Sequence, residues 1–362
     1  EDHPQHQDII KLILPQPLAP GNSVHIETPF HVKLPYNFSR GGYTSKTSFQ
    51  LTQWFPKPAV YDKYGWHEMP YLDQGEFFSE FGKFKVHITV PKGYIVAATG
   101  SLTANDTNES LTNSFVYEQD NIHDFAWFAD KDFEVKEDTL QLATHTIKLH
   151  AYYNKRTAGS WTNVIQYMKD AIRIKSDLVG SYPYNDVSVV EKYSKLGGGG
   201  MEYPTITLID GPLDNTTLNE VIYHEIGHNW FYGILASNER RFPWMDEGIN
   251  TYYDNRNTAT ITRQPAKVNF LGKRLPMDND QFPLLLATLA KSKKDQAIST
   301  DAAAFSEMNY AAVAYYKTAR WMKLLESGIG QPASLGDSRR AGPTDAGRRR
   351  LCHGGVESAA WP

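Results

Sequence analysis

The stretch His224-Glu225-Ile226-Gly227-His228, followed by eighteen residues and then Glu247, decides how this chain reads. Residues four apart on an α-helix lie about 400° round, so both imidazoles leave one face roughly one turn apart. That spacing suits two corners of a tetrahedral zinc site, and Glu225 between them can reach a water on the ion. The eighteen-residue gap lets the first helix end, the chain turn, and a second helix bring Glu247 in as third ligand. Three protein ligands and a water make a catalytic zinc site, whereas a structural one is closed by four. Chance is a poor rival: an H-E-x-x-H arises in roughly two chains per hundred of such composition, and a fixed later Glu cuts that to roughly one in a thousand.

The flanks place the motif on helices. Thr217 and Glu220 have the spacing of a capping box ahead of the apolar run Val221, Ile222, Ile226, Trp230 and Phe231. Pro243 and the Trp244-Met245-Asp246 turn put Glu247 in the first turn of the next helix. Asp246 beside it is a candidate to orient a ligand histidine.

Working outward, residues 1–135 read as β structure. Alternation runs through Ser23-Val24-His25-Ile26 and Phe84 to Val90, with Pro91-Lys92-Gly93 as a turn. From 136 the pattern becomes mixed. A strand at Thr146 to Tyr153 precedes a helix from Ser160 to Leu178 whose apolar face is Trp161, Val164, Ile165, Met168, Ala171 and Ile172. Strands follow at Asp186 to Val190 and, after Gly197 to Gly200, at Met201 to Ile209; a helix is expected from Ala302 to Glu326. The fold class is α+β and multidomain: an N-terminal antiparallel β domain (1–135), then an α/β catalytic domain (136–330). Residues 331–362 lack apolar periodicity and carry clustered arginines, and read as a disordered or artefactual tail.

Composition sets bounds. Of 362 residues, 41% are hydrophobic and 22% charged, as in globular proteins, and the net charge of −4 gives no basic footprint for nucleic acid. No apolar run reaches the eighteen or so residues that span a bilayer. Cys352 is the only cysteine, so the zinc site takes no thiolate; compartment and oligomeric state stay open.

Gly199-Gly200-Met201-Glu202-Tyr203, taken with the histidine motif, resembles the aminopeptidase N family of gluzincin zinc metallopeptidases. That family has G-x-M-E-N upstream of H-E-x-x-H, and later a Y-x-K segment, matched here by Tyr315-Tyr316-Lys317. Tyr203 stands where the family has asparagine, so no asparagine role carries over. Thr52-Gln53-Trp54-Phe55-Pro56 to Phe81-Gly82 is similar to the β domain of bacterial members. The resemblance runs from about residue 20 to 328. It implies a thermolysin-like catalytic domain, one Zn2+ per chain, and peptide substrates with a free N-terminus. Since members continue past Tyr315 into further helices, it also implies a chain cut short at both ends, less stable and less active than its parent.

The residues support the implied roles. Glu225 can act as general base, and a tyrosine hydroxyl such as Tyr315 can stabilise an oxyanion. Tyr310 corresponds to a second active-site tyrosine of some members. Glu202 offers a fixed carboxylate to a substrate ammonium, and Gln53 is a candidate to reach the same group. Gly199, Gly200 and Met201 would let a substrate backbone lie close to a strand edge. Two other readings remain: a thermolysin-like endopeptidase, which needs no amine anchor, and a non-catalytic peptide-binding fragment.

Overall fold

The computed structural model describes residues 2–37, 40–72, 74–193, 199–261, 266–270, 273–277 and 281–329. Residues 331–362 and Gly197–Gly198 lie outside them. The N-terminal part is built on Gly42–Ser45 (β1), Ser48–Leu51 (β2), Val60–Asp62 (β3), Gly65–His67 (β4), Gly82–Pro91 (β5), Ile95–Ala98 (β6), Ser101–Asp106 (β7), Thr112–Ile122 (β8) and Trp127–Asp130 (β9). They form a four-stranded sheet in the order β1-β2-β9-β6, a three-stranded sheet β5-β8-β7 and the β3-β4 hairpin, with every pairing antiparallel.

Ser23 to Ile26 is not a strand; Val24 and Ile26 are exposed there. Alternation describes side chains, but a strand also needs a neighbour for its N–H and C=O groups, and this segment pairs with no strand among the described residues.

Phe133–Gln141 (β10), Thr146–Asn154 (β11), Asp186–Tyr193 (β12), Gly200–Tyr203 (β13) and Ile206–Gly211 (β14) form one sheet in the order β10-β11-β12-β14-β13. β10 therefore runs across the 135/136 boundary expected from sequence. β11, β12 and β14 are parallel, and β10 and β13 are antiparallel edges. The strand expected from Met201 to Ile209 is in fact a hairpin, because Pro204 and Thr205 (φ 64°) reverse the chain. This leaves β13, with Glu202, on the sheet edge.

Helices Val164–Leu178 (α1) and Asn215–His228 (α2) pack on this sheet and on each other. Met168, Ala171 and Ile172 of α1 meet Leu218, Ile222 and Ile226 of α2 in the main core, each large apolar group contributing about 1.5–3 kcal/mol by burial. α2 is capped one turn earlier than the box at Thr217 suggested. Asp214 accepts from the N–H groups of Thr216 and Thr217, both at 3.0 Å. An aspartate already in extended geometry outcompetes a threonine that would cut off the first helical turn.

After α2 the chain widens into π-type turns at Asn229–Ile234 and again at Trp244–Gly248, then enters Ile249–Ile261 (α3). Ala266–Phe270 (β15) and Lys273–Met277 (β16) pair as a hairpin, and Gln281–Lys291 (α4) follows. The last helix starts later than expected: Ala302–Ala304 is a single 3-10 turn, and Ser306 caps Glu307–Asn309 (α5). A π-helical run, Tyr310–Lys317, then leads into Thr318–Ile329 (α6). Phe305 and Ser306 are extended between the two pieces, which ends the first and leaves Ser306 to start the second.

Candidate metal centre

His224 and His228 leave the same face of α2, and the π-type turn carrying Glu247 closes over them. His224 Nε2 and His228 Nε2 are 3.1 Å apart, and Glu247 Oε2 lies 3.3 Å and 3.5 Å from them. A tetrahedral ion with bonds of about 2.0–2.1 Å holds its ligand atoms about 3.3 Å apart. The three atoms thus have the spacing a zinc ion requires. Among the described residues Glu247 Oε2 has no hydrogen-bond donor although it is buried, as expected of an oxygen reserved for a metal.

Each of the three side chains is held from behind. His228 Nδ1 bonds Asp246 Oδ1, so the structure places the sequence candidate Asp246 on His228. His224 Nδ1 is 2.6 Å from Asp254 Oδ2, and Asp254 in turn pairs with the buried Lys175 at 2.9 Å. Glu247 Oε1 accepts from the Tyr315 hydroxyl at 2.5 Å. Such partners fix the ring tautomer and orientation that the metal needs.

Glu225 is buried and lies against Gly200, whose absent side chain leaves room for the carboxyl. Burial lifts its carboxyl to about 7 against the pull of His224 and His228, which suits a base working near neutrality. Tyr315 is brought in by the π-helical run, a distortion common at functional sites. Tyr310 packs edge-on to Tyr315 with ring centroids 6.0 Å apart.

Glu202, buried on β13, comes within the same cluster of ligand atoms as His228, Asp246 and Glu247. Its Oε1 has no hydrogen-bond partner among the described residues. Burial, with Asp246, Glu76 and Glu247 nearby, pushes this carboxyl well above the usual range. An orphaned buried carboxyl calls for a cationic partner. The hairpin that carries it is pinned to the metal helix by Thr205 N–H donating to Asn229 Oδ1 at 3.0 Å. Gly199 and Gly200 are exposed beside it, and Met201 is buried. Gln53 Nε2 donates to Asp124 at 2.5 Å, where Lys57 also pairs. This bond holds the amide by its N–H end; the amide oxygen is the atom that would accept from a substrate ammonium.

Three further acids and bases were not foreseen. Asp254 lies seven residues beyond Glu247, two helical turns on, and Lys175 continues the buried stripe Met168, Ala171, Ile172. Glu239 is buried with its carboxyl against that of Asp246. Only the helical period at Asp254 and Lys175 could have signalled two of them. The N-terminal part reaches the same region: Arg240 donates to the Gln74 and Pro70 carbonyls, and Glu76 pairs with Arg40 at 2.7 Å.

No family model matches the chain. In fold it is similar to the M1 zinc metallopeptidase from Deinococcus radiodurans, with TM-score 0.53 and 19% identity over 70% of this chain and 54% of that one. A mutant of that protein bound to a Tyr-Ser-Ala substrate gives a TM-score of 0.54 at 19% identity. By sequence it is 22% identical over 169 residues to leucine aminopeptidase 2 of Candida glabrata, 44% of this chain and 25% of that protein. It is 31% identical over 86 residues to aminopeptidase B of Rattus norvegicus, 23% of this chain and 13% of that protein. The chain spans about half the length of the solved structures and a quarter or less of these relatives. The resemblance to the aminopeptidase N family is borne out in the fold alone: antiparallel β-sheets followed by a mixed sheet with packed helices. No helix among the described residues is long and apolar enough to cross a membrane.

Proposed function

We propose that the chain is a zinc aminopeptidase that releases N-terminal residues from peptides. The observation that carries the reading is the orphaned Glu202 carboxyl beside three ligand atoms at tetrahedral spacing. An endopeptidase would need the metal ligands but would have no use for a buried carboxyl beside them that a substrate ammonium could ionise.

His224, His228 and Glu247 would hold the ion, which when bound would supply a Lewis acid and an acidified water. Glu225 takes the proton of the attacking water and later delivers it to the leaving amine. The Tyr315 hydroxyl donates to the oxygen of the scissile carbonyl as negative charge builds there. Glu202 holds the substrate ammonium by a charge-assisted hydrogen bond, which fixes the first peptide bond over Glu225. The outer edge of β13 lets the substrate backbone lie alongside as an added strand.

The test compares a free-amine peptide with its N-acetylated twin, with and without chelator. Cleavage of the free-amine form alone, abolished by chelator, is the expected result. Equal cleavage of both would overturn the aminopeptidase reading in favour of an endopeptidase; no cleavage of either by zinc-loaded protein would favour a peptide-binding role.

A further inference from the structure

Lys175 is fully buried at the α1–α2 contact, where an apolar side chain would continue the stripe. Sealing an ammonium in a core costs several kcal/mol unless it is well paired, so packing alone does not explain it. Its Nζ donates to Asn250 Oδ1 at 2.5 Å and to Asp254 Oδ1 at 2.9 Å, and stands 4.5 Å from the centre of the Tyr223 ring. Both carboxamide and carboxylate then turn to one residue. Asp254 Oδ2 is 2.6 Å from His224 Nδ1, and Asn250 Nδ2 donates to the His224 carbonyl at 2.8 Å. The ammonium is therefore one contact removed from both the ring and the backbone of His224.

Room for it comes from the metal motif itself. A Cβ on Gly227 would stand 1.9 Å from Lys175 Nζ and 2.1 Å from Asn250 Oδ1. Glycine is a poor residue for a helix interior, so its use in α2 has a steric reason.

We infer that Lys175 is a positioning residue for the metal centre, locking Asp254 and Asn250 so that His224 keeps its proton on Nδ1 and presents Nε2 to the ion. This rests on the zinc reading above. It extends the support of His224 from the neighbouring α3 to a third helix, α1, and gives Gly227 its role.

The experiment is zinc affinity, measured by competition with a chelator of known affinity, on the wild type, Lys175→Met, Gly227→Ala and the double variant. Near-ultraviolet circular dichroism of the metal-free proteins reports folding. Lys175→Met should weaken zinc by about 10- to 100-fold. Gly227→Ala, which keeps every charge but displaces the ammonium, should do the same. In the double variant the new methyl fills vacated space, so the loss should be no greater than for Lys175→Met alone. A folded Lys175→Met with wild-type affinity, or losses that simply add, would overturn the inference while leaving the zinc reading intact. If Lys175→Met does not fold, Gly227→Ala decides, and unchanged affinity there overturns it. Wild-type protein that takes no zinc would overturn both.

Discussion

The Tyr315 hydroxyl lies 2.5 Å from Glu247 Oε1, so the proposed oxyanion donor and a proposed metal ligand share a hydrogen bond. The hydroxyl is thereby held beside the cluster, its single proton on Glu247 until a substrate oxygen competes for it, and burial beside Glu247 keeps the phenol protonated, pushed well above its ordinary value. Tyr315→Phe should keep zinc and leave KM within a few-fold while kcat falls roughly 100- to 1,000-fold. Steady-state kinetics with metal analysis check this. A kcat within a few-fold of wild type would remove Tyr315 from the mechanism.

Glu202→Gln tests the amine anchor. Losing a charge-assisted hydrogen bond of about 1.5–3 kcal/mol should lower kcat/KM for free-amine peptides roughly 10- to 100-fold. Zinc content and the folded near-ultraviolet circular dichroism signal should stay those of wild type. A variant that loses zinc or that signal together with activity would show that Glu202 supports the hairpin and not the substrate.

Gly200→Ala probes the closeness of β13 to the general base. A Cβ there would stand 2.2 Å from Glu225 Oε1, so the carboxyl must move. Turnover should drop by up to about 100-fold with zinc content unchanged. Full activity would show that Glu225 has room to work elsewhere.

A pH prediction comes from His123, which is buried with Nε2 donating to the Tyr232 carbonyl at 3.2 Å. Burial lowers this imidazole from 6.5 to about 4. Below about pH 6.5 the unfolded chain takes a proton that the folded chain refuses, so stability falls as pH drops towards 4 and is unaffected above that window. The full effect is about 3 kcal/mol. His123→Gln, which can still donate to the carbonyl, should flatten urea-denaturation stability between pH 6.5 and 4 relative to wild type. Parallel profiles would contradict it.

What sequence could read follows from what is local. His224, Glu225 and His228 are fixed by one helix, and their spacing alone carries the site. Glu247 needs only that a second helix return, which Pro243 signals. Tyr315 and Glu202 were legible through the family resemblance, since a single tyrosine or glutamate has no pattern of its own. Lys175 looked like an interruption of an apolar stripe because its partner Asp254 is 79 residues away and only tertiary packing joins them. The hairpin at Pro204-Thr205 read as one strand because both halves are buried and equally apolar. The alternation at Ser23 to Ile26 read as a strand because sequence does not show whether a pairing partner exists.

The central claim is that His224, His228 and Glu247 converge on one zinc ion. Zinc-edge anomalous diffraction from zinc-loaded crystals tests it most directly. The account predicts one strong peak within about 2.0–2.2 Å of His224 Nε2, His228 Nε2 and Glu247 Oε2. A map with no peak among those three atoms in fully loaded protein would contradict it.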